Sequence, residues 1–285
     1  MANNNQMKNL TTHEKINLWA TRIVLIIITL ASLFPTMYVL MISFKAGESL
    51  YTSSLIPKQF TIDNYNRLFT QSKFLLWMRN SLIIGVSSAL ISTLIATLAG
   101  YSFSRFRFPG RRYGILILLI VQMLPTSVSL VALFRMLYVM HLLNKLEGLI
   151  VVFGLGSGAL SVWLMKNYID TIPKELDESA YIDGANPWQV FWRILFPLIQ
   201  PMLVAQFILS FIGVYNEYMF SSIVLFDPNL YPLGVGIRTY VTGAYQTNWT
   251  AFCASAVIGS FPILIIFFLA QKLLVEGLTR GAIKA

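Results

Sequence analysis

Few side chains in this 285-residue sequence have the types and spacing to do chemistry. The one cysteine, Cys253, lies in an apolar stretch with no second thiol, which excludes an intrachain disulfide and any CxxC metal site and leaves packing as its role. His13 and His141 are isolated, so no ligand set for zinc or iron forms and no metal is expected. The sequence holds no GxxxxGK[ST] phosphate loop, so it is not expected to bind and hydrolyse ATP itself, and no cofactor is expected. Two polar constellations remain. One is the run Tyr215-Asn216-Glu217-Tyr218, an amide and a carboxylate between aromatic rings, suited to hydrogen-bonding hydroxyls and to stacking on flat apolar faces. The other is the stretch 167–197, NYIDTIPKELDESAYIDGANPWQVFWRILFP, where carboxylates precede a glycine turn and an aromatic stripe.

The elements that position these groups follow from composition. Mean hydropathy is +0.67 and 12% of residues are charged, against about 25% in soluble domains. An all-α integral membrane protein is expected. A helix needs about 20 mostly apolar residues to cross the hydrocarbon core, and stretches near 20–43, 79–102, 113–135, 148–166, 198–226 and 251–275 qualify. This predicts a segment 1–19, a six-helix membrane domain over 20–275 and a tail 276–285. The first stretch has a signal peptide's charged-then-apolar layout but no small-residue cleavage site, and it reads as a retained helix. Pro35, Pro125, Pro201 and Pro262 fall in or beside spans and mark expected kinks.

Lys and Arg in short loops orient such a bundle. Arg105, Arg107, Arg111 and Arg112 crowd between spans two and three. Lys8, Lys15 and Arg22 precede span one, and Lys272, Arg280 and Lys284 close the chain. Both termini and the segment 167–197 are then cytoplasmic. Segment 44–78, where Lys45, Lys58, Arg67 and Lys73 are diluted with Glu48 and Asp63, is external. The net charge of +9 would suit nucleic acid, but its cations lie at the ends of apolar runs, so no nucleic-acid partner is expected.

Within 167–197, Thr171 and Pro173 read as a helix start, with a helix from about Pro173 to Ile182. Gly184 offers a left-handed terminus. Asn186, Pro187 and Gln189 restart a helix as N-cap, N1 and N3 of a capping box. In that second helix Trp188, Phe191, Trp192 and Leu195 form one apolar stripe, for the bilayer surface or the base of the bundle. Asp170, Glu175, Asp177, Glu178 and Asp183 against Lys174 give an acidic face, which argues against a helix-turn-helix reader of DNA. A plain solvated linker is the alternative, though most connections in bundles take about 2–8 residues.

Glu178-Ser179-Ala180, three residues, Gly184, nine residues and Ile194-Leu195-Phe196-Pro197 resemble the signature EAA-x3-G-x9-I-x-LP of permease subunits of binding-protein-dependent ABC importers. Ser179 and Phe196 depart from it conservatively. The six-span layout and the tail GLTRGAIKA further resemble MalG-like permeases of the carbohydrate class. The resemblance implies the six-helix importer permease fold, with the stretch as a coupling helix that docks into an ATPase subunit. Glu178, Ser179, Ala180, Gly184, Ile194 and Pro197 are its residues. It also implies a second, MalF-like permease, two ATPase subunits that bind the ATP, an extracellular or periplasmic solute-binding protein, a carbohydrate substrate, and a prokaryotic inner membrane with its lipid as the setting. The tail is similar to one that reaches between the ATPases; a free cytoplasmic end is the other reading.

Ionisable groups at membrane depth are rare and default to functional hypotheses. Asn216 and Glu217 are therefore candidates for a solute path or gate; the bland reading has Glu217 bonding a neighbouring span near the outer end of its helix. Gln122 either faces the cavity or makes an interhelical hydrogen bond. The segment 227–250, too polar to span, reads as an external loop that touches the binding protein. Two alternatives stay open: the same machine carrying glycerol phosphate, an amino acid or a peptide, or a secondary transporter. The latter would need several ion-coordinating groups at depth and an inverted repeat.

Overall fold

The computed structural model describes residues 12–47, 57–123, 126–156, 158–242 and 247–282. Lys8, Glu48, Pro125 and Lys284, all named above, lie outside the described residues. Helices dominate: α1 (Thr12–Ser43), α2 (Asp63–Thr70), α3 (Phe74–Arg105), α4 (Arg111–Gln122), α5 (Thr126–Val139), α6 (Leu146–Gly156) and α7 (Gly158–Asp170) come first. After them come α8 (Glu175–Ile182), α9 (Pro187–Tyr215), α10 (Met219–Val224), α11 (Leu233–Arg238) and α12 (Trp249–Ala282). An isolated bridge pairs Lys45 with Phe60.

The post of the bundle is α3, 32 residues and so about 48 Å long. It packs most heavily on α7, α9 and α6. Lipid tails are as apolar as leucine, so membrane helices associate through close packing rather than water exclusion, and small residues at the seam permit it. Ser81, Gly85, Ser88, Ser92, Ala96, Gly100 and Ser104 of α3 are all buried at helical spacing. Gly100 shows why: a Cβ there would lie 2.9 Å from the Met165 side chain and 3.0 Å from the Lys166 backbone nitrogen, so any larger residue separates α3 from α7. Polar side chains add interhelical bonds, as where Gln206 of α9 donates to Ser161 of α7 at 2.5 Å. By contrast α1 packs chiefly on α12, and its Val24, Ile26 and Leu30 stay exposed for lipid or another subunit.

Among the described residues four helices, within α1, α3, α9 and α12, are each long and apolar enough to span, and α6 with α7, bent by 43°, reaches that length and apolarity as a pair. The expected third span, 113–135, is instead two helices, α4 and α5. Helix extents also differ from the expectation: α1 starts at Thr12 and α12 continues to Ala282. The largest correction is at span five, placed at 198–226. It begins at Pro187, continuous with the second helix of the polar stretch, and stops at Tyr215, leaving Asn216 and Glu217 in a break before α10. The described part of segment 227–250 likewise holds a helix where a loop is expected, because α11 buries Leu233, Val235 and Gly236 against α3 and α12.

Candidate functional site

The bend between α7 and α9 is built from caps. Helix α8 starts at Glu175 rather than Pro173, with Lys174 at its N-cap, and the Thr171 hydroxyl donates back to the Tyr168 carbonyl instead of capping forward. At its other end Gly184 takes φ +81°; its N–H donates to Tyr181 and that of Ala185 to Ala180, the paired bonds of a Schellman terminus. Two residues on, the Asn186 side chain accepts from the Gln189 N–H and the Gln189 side chain accepts from the Asn186 N–H, both at 2.9 Å. The capping box is complete.

Above the box, Phe191–Leu195 form a π-turn, in which the Phe196 N–H bonds the Phe191 carbonyl. Pro197 follows and has no N–H to give, a usual cause of such a break. The expected single stripe divides here. Phe191 and Leu195 are buried with Tyr101, Met165, Ile169 and Ile199, while Trp188 and Trp192 are 62% and 40% exposed. Trp188 packs edge-on to Trp192 and Trp192 lies tilted against Phe196, with centroids 5.6 and 4.8 Å apart. Inner rings hold the base of the bundle; outer rings lie where membrane proteins place aromatic belts.

The acidic face is also divided. Asp177 turns inward, and its carboxylate lies 2.6 Å from Arg105 Nε at the foot of α3, with both side chains under a tenth exposed. Arg105 also donates to the Ile172 carbonyl at 2.9 Å. Burial raises the Asp177 carboxyl above its ordinary value, with the Arg105 guanidinium pulling the other way. Asp170 accepts from Ser104 and pairs with Lys166, both at 2.5 Å. Tyr101 donates to the Pro187 carbonyl at 3.2 Å and packs edge-on to Phe106. Together these contacts tie the bend to α3 and α7.

What projects outward is small: Glu178 and Ser179 are exposed, as are Leu176, Tyr181 and Ile182, the last at 87%. The Ser179 hydroxyl is turned onto the Glu175 carbonyl. Ala180 is buried, Ile194 is half-buried in the π-turn and Pro197 is exposed. The six signature residues therefore do not converge on a pocket. Glu178 and Ser179 sit on the outer face, whereas Ala180, Gly184, Ile194 and Pro197 shape the bend that carries it.

Asn216 and Glu217 lie near the other end of α3. Glu217 caps α10: Oε1 accepts from the Phe220 N–H at 2.6 Å, and Oε2 from the Ser221 N–H and hydroxyl at 3.1 and 2.6 Å. Asn216 is exposed at the end of α9. Tyr215 is buried and donates to the Gly259 carbonyl of α12 at 2.8 Å, and Tyr218 lies under the Arg238 guanidinium, 4.8 Å from its ring centroid. Gln122, at the end of α4, accepts from the Leu160 N–H in the first turn of α7 at 2.8 Å. It belongs to the α4–α7 contact, apart from the α9–α10 break. Sequence reasoning overlooked the residues that hold this end. Trp77 donates to the Pro228 carbonyl, Asn80 to those of Asn229 and Tyr231, and the Ser81 hydroxyl accepts from the Leu233 N–H. An asparagine at the head of a seam of serines and glycines was the available signal. Among the described residues no group of three or more His, Cys, Asp or Glu is placed to hold a metal ion.

Residues 92–280, from the middle of α3 through the bend to α12, match the family model described as the binding-protein-dependent transport system inner membrane component, and the chain belongs to that family. It is accordingly a multi-pass inner-membrane permease component. It is 33% identical over 276 residues to the maltodextrin transport system permease protein MdxG of Bacillus subtilis (strain 168), covering 97% of this chain and 99% of that one. It is 37% identical over 289 residues to the maltose/maltodextrin transport system permease protein MalG of Escherichia coli (strain K12), covering 95% and 97%. Among solved structures, a chain of a bacterial ABC transporter involved in import of the acidic polysaccharide alginate superposes with a TM-score of 0.81 at 22% identity, over 92% of this chain and 98% of that one. The fold is that of an ABC importer permease.

Proposed function

We propose that this chain is a permease subunit of an ABC importer that takes up an oligosaccharide of the maltose or maltodextrin class. It pairs with a second, MalF-like permease to enclose the path and receives solute from an external binding protein. It couples through α8 to one of two ATPase subunits, which bind and hydrolyse the ATP; the chain itself is not catalytic. Its termini and bend face the cytoplasm. The observation that carries the coupling role is the outer face of α8: Ile182 is 87% exposed beside Glu178, on a helix whose inner face is fixed to α3 by the Arg105–Asp177 pair. An apolar side chain flanked by carboxylates and backed by a braced helix suits docking onto a protein surface bearing cations. The carbohydrate class rests on the similarity along nearly the whole chain to maltodextrin and maltose permeases.

ATPase stimulation of the reconstituted complex, with its binding protein and a panel of maltose-series oligosaccharides, glycerol phosphate and amino acids, tests the reading. Oligosaccharides should stimulate hydrolysis and the others should not; stimulation by an amino acid alone would replace the substrate class. Gly184→Trp, at a φ of +81° that only glycine takes freely, should leave the protein in the membrane and reduce stimulated hydrolysis to the basal rate. Unimpaired stimulation in that variant would sink the coupling role.

A further inference from the structure

The turn from α3 into α4 carries a second basic feature that the bend does not use. Arg105 is committed to Asp177, but Arg107, Arg111 and Arg112 remain, and Lys166 of α7 meets them. These four cations line a cleft of about 760 Å³ whose apolar side includes Ile115 and Leu116, and none of its lining residues is acidic. Lys166 is held by Asp170, and Arg111 donates to the Ser104 carbonyl at 3.1 Å. No ion pair among the described residues engages Arg107 or Arg112.

Helix α4 adds to the imbalance. Its N-cap is Gly110, which offers no side-chain cap, and its first turn holds no acidic residue but Arg111 and Arg112. Cations there oppose the helix dipole, and an anion in the cleft relieves both that opposition and the mutual repulsion of the arginines. Position narrows the kind of anion. Leu116, Ile117, Ile120 and Val121 continue from the cleft along α4 and are each 49–63% exposed, so a strip of apolar surface runs from the cations toward membrane depth. A soluble phosphate has no use for that strip, whereas acyl chains do.

We propose that this cleft binds the headgroup phosphate of an anionic phospholipid, with its acyl chains lying along the exposed face of α4. Basic pockets between membrane helices are suited to such headgroups.

Native mass spectrometry of the detergent-purified full-length protein, titrated with phosphatidylglycerol or phosphatidylcholine, tests this. Phosphatidylglycerol should bind in preference to phosphatidylcholine. In the Arg107→Gln/Arg112→Gln variant its affinity should fall about thirtyfold, with phosphatidylcholine binding unchanged. The Arg107→Lys/Arg112→Lys variant, which keeps the charge, should retain most of the preference. Unchanged phosphatidylglycerol affinity in the Gln variant overturns the site, and equal loss in the Lys variant overturns the electrostatic basis. Displacement of the lipid by millimolar inorganic phosphate overturns the lipid as ligand.

Discussion

The two ends of α3 are fastened by different chemistry. At the foot, the bend is held by a buried ion pair, by the Ser104 hydroxyl donating to Asp170, and by the ring of Tyr101 against Phe191. At the head, segment 228–233 is held by neutral side chains, with Trp77, Asn80 and Ser81 bonding its backbone. The foot adds side-chain bonds onto carboxylates, Arg105 with Asp177 and Ser104 with Asp170, to its bonds onto the Ile172 and Pro187 carbonyls, so α8 is fixed through its own inward side chain while its outer face stays free. The head contacts are side chain to backbone, so they fix the course of a chain with little regular structure. One end is fastened largely by charge and the other by neutral bonds to backbone.

That contrast is open to direct tests by hydrogen exchange. Arg105→Ala strands the Asp177 carboxylate in a buried site, where breaking such a pair costs about 3–5 kcal/mol. Exchange over 175–190 should accelerate strongly while 228–238 keeps its protection; equal acceleration at both ends would show that they are not separately fastened. Asn80→Ala removes the donor to two carbonyls and should destabilise the head by about 2 kcal/mol, with the reverse pattern of protection. Glu217→Gln keeps the shape of the cap but removes its charge. It should weaken the Phe220 and Ser221 amide bonds by about 1 kcal/mol and leave transport nearly intact if capping is its whole role. Transport lost with those amides still protected would place Glu217 on the solute path.

The bend was legible in the sequence to the extent that it is local. Gly184 and the Asn186–Gln189 box depend on residues within a turn of one another, and the structure has both. Thr171 misled because a hydroxyl at the end of one helix can bond backward as readily as forward. Asp177 reads from sequence as one more member of the acidic face because its partner, Arg105, lies far away in sequence at the end of another span, where it counts as a topological charge. Glu217 was assigned to a helix interior because the apolar run extends past Tyr215, and hydropathy does not register the break that its own carboxylate caps.

The π-turn at Phe191–Leu195 bears on the whole of α9. One extra residue in a helix advances every later side chain by about 100° of rotation relative to an uninterrupted spiral. Ile199, Gln206, Ser210 and Phe211 are buried in that shifted setting. The turn therefore sets the rotational phase between the bend and the span above it. Shortening this segment by one residue would preserve both helices and every cap, yet point the span's seam away from α3 and α7.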